Sequence, residues 1–183
     1  MLGMWLRDSV TGIGTLTFSD PDSGVFGALG HAVSDADTGL RLEGEGQMTG
    51  AQITGVHPGS EGCPGELVGC AEDAQVLGSI ERNTPRGVYG VLTQSVYGQS
   101  VEAGMLKPGE AKILCTVTGA EPRAYSVQID RVYNDTDGCR AVLTVTDPQL
   151  LSLTGGIVQG MSGSPILQDG KLVGAVTHVS VTT

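Results

Sequence analysis

Residues 155–166 read Gly155-Gly156-Ile157-Val158-Gln159-Gly160-Met161-Ser162-Gly163-Ser164-Pro165-Ile166, and this stretch decides the reading of the chain. A serine set between glycines can be held on a tight turn, with its hydroxyl exposed and neighbouring N–H groups pointing inward. Acyl transfer needs that arrangement, a nucleophile beside backbone donors that stabilise a developing oxyanion. Glycine at Gly160 and Gly163 permits backbone angles that other residues resist. Gly-x-Ser-Gly turns are common, however, and an ordinary hairpin approach has the same pattern. The sequence on either side separates the two readings.

Downstream, Ser-Pro-Ile-Leu-Gln and Lys-Leu-Val-Gly-Ala-Val-Thr-His-Val-Ser-Val flank Asp169-Gly170, a two-residue hairpin signal. Upstream, short β-branched runs alternate with glycine-rich turns. Gly12–Phe18 and Val25–Leu29 flank an Asp-Pro-Asp-Ser-Gly turn. Further strands are expected at Leu40–Met48, Ala51–Val56, Gln75–Glu81, Gly87–Thr93, Ala111–Thr118, Ala124–Tyr133 and Cys139–Thr146. One short helix is expected at Asp147-Pro148-Gln149-Leu150-Leu151, where Asp caps and Pro suits the first turn. About ten short strands at regular spacing point to a barrel or sandwich.

The 29 glycines among 183 residues follow no collagen period and fit a turn-rich β-chain. Acidic residues outnumber basic ones by 20 to 10, for a net charge of −10, so nucleic acid and anionic membrane surfaces are disfavoured partners. No run approaches the ~20 apolar residues of a membrane span. Four cysteines, Cys63, Cys70, Cys115 and Cys139, lack zinc-ligand spacing. They are read as thiols, with a small Cys63–Cys70 disulfide as the alternative, and no metal or organic cofactor is implied.

A nucleophilic serine needs a base, and there are three histidines. His31, at the end of the first hairpin, suits a base supplied from one half of the chain to a serine in the other. His57, in a Val-His-Pro-Gly loop, reads as a surface residue. His178 lies on the strand after the nucleophile hairpin, where it can influence substrate choice.

At these residues the chain resembles the SpoIVB peptidase family of spore-forming bacteria. The matching runs are Gly12–Phe18, Gly27–Asp35, a Pro-Gly-Glu, Thr84–Gly90, Thr146–Leu151, Thr154–Ile166 and Gly174–Val179, in order along nearly the whole chain. The resemblance implies an all-β, chymotrypsin-like double β-barrel with one short helix. The whole chain would be a single peptidase domain, with a first barrel over about 1–95, a linker over about 96–110 and a second barrel over about 111–183. Family members carry a membrane anchor and a PDZ domain before the peptidase, and neither lies within these residues.

The resemblance also implies a triad of His31, Asp147 and Ser162, with an oxyanion hole from the N–H groups of Gly160 and Ser162. Substrate backbone would pair along Ala175, Val176, Thr177, His178 and Val179, by strand addition. The acid stays open. Family resemblance favours Asp147, Asp73 fits the mid-chain position of ordinary chymotrypsin-like enzymes, and Asp35 is too near His31 in sequence. The implied partner is a peptide or protein substrate, a membrane-anchored regulator that restrains an intramembrane protease in sporulation signalling, with self-cleavage as a further possibility. The implied location is extracytoplasmic, between the forespore and mother-cell membranes. The rival reading is a catalytically silent two-barrel module that binds peptides along Ala175–Val179, and a purely structural β-domain ranks behind it.

Overall fold

A computed structural model describes residues 10–70, 75–96, 98–136 and 138–179. Twelve strands and one helix make up the described chain. The first sheet has the order β1-β2-β7-β6-β3, from Leu16–Ser19, Val25–Ala28, Gly87–Leu92, Val76–Thr84 and Gly46–Thr49. The second has the order β10-β9-β8-β11-β12, from Gly138–Val145, Arg123–Asp135, Gly109–Cys115, Pro165–Gln168 and Lys171–Ala175. Every strand pairing is antiparallel, and β4 (Gln52–His57) with β5 (Glu66–Cys70) forms a separate hairpin.

Local chemistry accounts for the turns. Asp169 and Gly170 both take positive φ, 52° and 76°, as a hairpin turn matched to the strand twist requires. Asp147 caps α1 (Pro148–Thr154) through bonds from the N–H groups of Gln149 and Leu150, and Pro148 opens the first turn. Gly155 ends the helix in the left-handed conformation, φ 73°, with its N–H on Leu151 O.

Two expectations are adjusted. Residues 40–45 form no strand beyond one antiparallel bridge of Arg41 with Ser34, across a tight turn in which the Asp35 carboxylate gathers the N–H groups of Asp37 and Thr38, and Gly44 takes φ 125°. The Glu66–Cys70 segment, read as loop, is a strand.

The apolar cores are unequal. Beneath the second sheet, fourteen buried residues form one cluster, including Ile113, Ile129, Leu150, Val158 and Met161. Under the first sheet, among the described residues, the buried apolar cluster is Phe26, Ala28 and Val88, with half-buried neighbours such as Leu16 and Ile80. The β4–β5 hairpin lies in the first half of the chain, yet Ile53 and Leu67 pack into the second cluster. Ile53 exchanges both backbone bonds with Gly119 at 2.9 Å. Gln168, buried on β11, accepts from Lys107 N–H and donates to Lys107 O and Glu110 O, fixing the approach to β8. Beyond Leu172, whose N–H and C=O bond Glu102 O and Gly104 N–H, residues 102–104 run beside β12.

Candidate active site

Ser162 sits on the loop between α1 and β11, and three separate segments hold that loop. From the hairpin, Leu67 N–H donates to Gln159 O and Gln159 N–H donates to Gly65 O, both at 2.8 Å. From β1, Thr15 N–H donates to Ser162 O at 2.8 Å and Thr17 Oγ1 donates to Gly163 O at 2.7 Å. From the end of β12, Val176 accepts from Gly163 N–H at 2.8 Å and donates to Ser164 O at 2.9 Å. Met161, fully buried, anchors the turn in the second core. The serine is thus displayed by a backbone that is fixed on every side, which is the preorganisation acyl transfer needs.

The glycines are required here. Gly163 has φ 91°, and a Cβ on it would stand 2.1 Å from Thr15 O and 2.6 Å from Leu29 N. Only a residue without a side chain lets β1 lie this close. Gly160 has φ 95° and faces Leu67 of the hairpin, whose side chain a Cβ would meet at 3.0 Å. Among the described residues, the N–H groups of Gly160 and Ser162 have no acceptor.

His31 reaches this region from the first sheet. β2 ends at Ala28, and Leu29 and Gly30 both take positive φ, 68° and 72°, to turn the chain across the seam. Gly30 lies against Thr177, where a Cβ would stand 2.8 Å from Thr177 Cγ2. The half-buried His31 ring then lies 5.6 Å, centroid to centroid, from the exposed His178 ring. His31 Nδ1 is 2.9 Å from Ala32 O. A carbonyl only accepts, so this contact places the proton on Nδ1 and leaves the Nε2 lone pair available, the tautomer a general base needs. Asn83, on β6, clamps the same loop: its Oδ1 accepts from Val33 N–H at 2.9 Å and its Nδ2 donates to Val33 O and Leu42 O. Ser162 Oγ donates to Thr177 O at 3.3 Å, and no hydrogen bond joins it to His31 in this arrangement. Such bonds are often long before substrate enters.

The other expected residues fall as follows. Ala175 closes β12, and from Val176 to Val179 the chain leaves the sheet ladder. Val176 is buried against the serine loop, while Thr177 and His178 carry the contacts to Ser162 and His31. Asp147 spends its carboxylate on backbone: Oδ1 accepts from Gln149 and Leu150, and Oδ2 from Ser126 N–H at 3.2 Å. The Leu150 bond, then those from Ser126 and Gln149, hold its pKa below the usual carboxylate value and keep it ionised. Asp73 lies outside the described residues. His57 pairs with Glu66 at 2.9 Å on the exposed hairpin, as a surface residue does. No disulfide joins Cys63 to Cys70.

Sequence reasoning missed Thr17, Asn83 and Leu67. Thr17 lies inside the alternating Gly-Thr-Leu-Thr-Phe run, where a hydroxyl facing inward is the only hint. Asn83 stands one residue before a Thr-Pro-Arg-Gly turn and gave no signal. Leu67 was hidden by the loop reading of its segment.

The family model of the SpoIVB peptidase S55 matches residues 1–183, the full length of the chain. The chain belongs to the SpoIVB peptidase S55 family. It is therefore a serine peptidase, a hydrolase acting on peptide bonds, with a peptide or protein as substrate. Its two antiparallel sheets and single short helix are the all-β, chymotrypsin-like fold expected of this class. Neither the curated proteins nor the solved structures gave a match to the chain. No helix among the described residues is long and apolar enough to cross a membrane.

Proposed function

We propose that this SpoIVB-type peptidase is an endopeptidase in which Ser162 attacks the peptide carbonyl and His31 Nε2 takes the hydroxyl proton. The N–H groups of Gly160 and Ser162 would stabilise the oxyanion, and His31 would return its proton to the departing amine. Substrate backbone would lie along Ala175–Val179, with His178 beside the scissile bond. The observation that carries this reading is that one short segment neighbours both residues: Thr177 O accepts from the Ser162 hydroxyl, and the His178 ring lies 5.6 Å from the His31 ring.

Asp147 is proposed as the triad acid on family grounds. The bonds it accepts from Leu150, Ser126 and Gln149 are those of a helix cap, so the role rests on the family resemblance alone. Asn is also a good helix cap and can keep the bonds from Gln149 and Leu150, losing only the one that Oδ2 accepts from Ser126 N–H. Asp147→Asn should therefore fold normally and lose about 10⁴ in kcat. Near-normal kcat in that variant would remove Asp147 from the triad.

Family membership also supports the finer role. The substrate would be a membrane-anchored regulator that restrains an intramembrane protease during sporulation, cleaved in the space between the forespore and mother-cell membranes. The deciding experiment is fluorophosphonate labelling mapped by peptide mass spectrometry. Labelling at Ser162, lost in His31→Ala, is expected, and Ser162→Ala should fold but hydrolyse nothing. A folded protein that resists the reagent would favour the silent peptide-binding module, a reading that the Ser162–Thr177 bond also fits.

A further inference from the structure

Beside the serine loop, the seam between the two sheets opens into a cleft of about 290 Å³. Its walls are Phe18 and Gly27 from the first sheet, Leu172 and Ala175 from β12, and Arg86 and Tyr89 from the β6–β7 hairpin. Ser162, His31 and His178 are not among its lining residues, yet it is built from the segments that position them. Thr17, on its wall, holds Gly163 O, and Gly30, at its end, precedes His31 and touches Thr177.

The lining has two features that the serine chemistry does not use. The first is Arg86, the only charged residue on the wall. Its guanidinium lies beside Gly138 at the start of β10, where a Cβ would stand 3.6 Å from one of its nitrogens, and among the described residues it makes no ion pair. Its backbone is fixed: Arg86 N–H donates to Thr84 Oγ1 at 3.2 Å and Tyr89 Oη donates to Arg86 O at 3.4 Å. The second is Phe18, whose ring lies over Gly27, where a Cβ would stand 2.5 Å from it. The ring nevertheless stays 43% exposed, a large apolar face open to the cleft. A guanidinium and an exposed aromatic ring lining one cleft suit a ligand with a carboxylate next to an apolar side chain.

We propose that this cleft is an exosite for an acidic-apolar segment of the protein substrate, with Arg86 binding the carboxylate and Phe18 and Leu172 covering its apolar neighbour. The site goes beyond the serine mechanism and does not depend on the assignment of Ser162. Because the seam also carries the Thr17–Gly163 and Gly30–Thr177 contacts, a bound segment would bridge both sheets next to the catalytic pair. The chain's net charge of −10 disfavours an acidic ligand at long range, so a preference for carboxylate would report the local guanidinium.

The test uses the full chain as Ser162→Ala, so that nothing is cleaved, and fluorescence anisotropy with labelled tetrapeptide amides. One peptide carries adjacent leucine and glutamate, a second has glutamine for glutamate, and a third has lysine. The glutamate peptide should bind at least about fivefold more tightly than the glutamine peptide. Arg86→Gln should abolish that ratio, and Arg86→Glu should turn the preference to lysine, with melting temperatures unchanged for this exposed side chain. Equal binding of the three peptides, or a glutamate preference that survives Arg86→Glu, would overturn the proposal. Fluorophosphonate labelling of the wild type with the glutamate peptide present separates the two sites. Labelling should proceed undiminished, and blocked labelling would make the cleft part of the substrate channel and defeat the exosite. Failure of Ser162 to label at all would strike the serine assignment while leaving the binding result intact.

Discussion

Replacing Gly163 with alanine tests the seam directly. The new Cβ would sit 2.1 Å from Thr15 O and 2.6 Å from Leu29 N, both backbone atoms with no rotamer to escape into. Relief requires β1 to retreat by about 1 Å, since ordinary contacts begin at ~3.4 Å. That retreat breaks or stretches the Thr15–Ser162, Leu29–Thr15 and Thr17–Gly163 bonds, now 2.8, 3.2 and 2.7 Å. Each such bond is worth about 1 kcal/mol net, and alanine at φ 91° costs about 1–2 kcal/mol more. A loss of about 3–5 kcal/mol follows, a large share of the ~5–15 kcal/mol that holds a domain together. At ~2–4 °C per kcal/mol for a chain of this size, thermal melting should fall by about 6–20 °C. Fluorophosphonate labelling at Ser162, measured well below the melting range, should slow by about a hundredfold, because a 1 Å displacement of a reacting group costs that much. A variant that melts within about 2 °C of wild type and labels at the same rate would refute the account of the loop.

Two further outcomes are expected. Asn83→Ala removes three hydrogen bonds from the loop after His31. It should cost about 2–3 kcal/mol of stability and slow Ser162 labelling, and Asn83→Asp, which sets a carboxylate oxygen against the Val33 and Leu42 carbonyls, should not recover the rate; labelling at wild-type speed in Asn83→Ala would deny it a positioning role. Burial pushes the Cys115 thiol up to about 12 from an ordinary 9.0, so iodoacetamide at pH 8 should spare it while modifying the exposed Cys63 and Cys139. The sign follows from that shift: the neutral thiol favours the folded state below pH 9, and that contribution declines as pH rises from 9 towards 12. Rapid alkylation of Cys115 in the folded protein would show that the second core is open.

The parts of the fold that were legible in the sequence are those with local causes. Asp147-Pro148 and Asp169-Gly170 carry their geometry in their own chemistry, and both formed where expected. The β8–β9–β10 strands announced themselves through β-branched runs, and only their ends moved, by one to three residues. Leu67 was illegible because Cys-Pro-Gly-Glu-Leu-Val-Gly-Cys has turn composition, and its strand pairing is stabilised by a distant partner, Gln159. The same holds at the site. Ser162 stood out because glycines must surround it, and His31 because few histidines compete. Asn83 could not, since its value lies in contacts with Val33 and Leu42, fifty and forty-one positions away. A side chain whose role is wholly tertiary leaves no period and no motif.

The unequal cores give those tertiary contacts their importance. With three buried residues, the first sheet has little apolar surface to hold its shape alone, whereas the second has fourteen. The second body presents Ser162 on a fixed loop; the first supplies His31 from a loop clamped by one asparagine and docked through glycines. How the His31 loop sits against the Ser162 loop therefore depends less on either core than on the seam: Thr15 and Thr17 on the serine loop, Gly30 on Thr177.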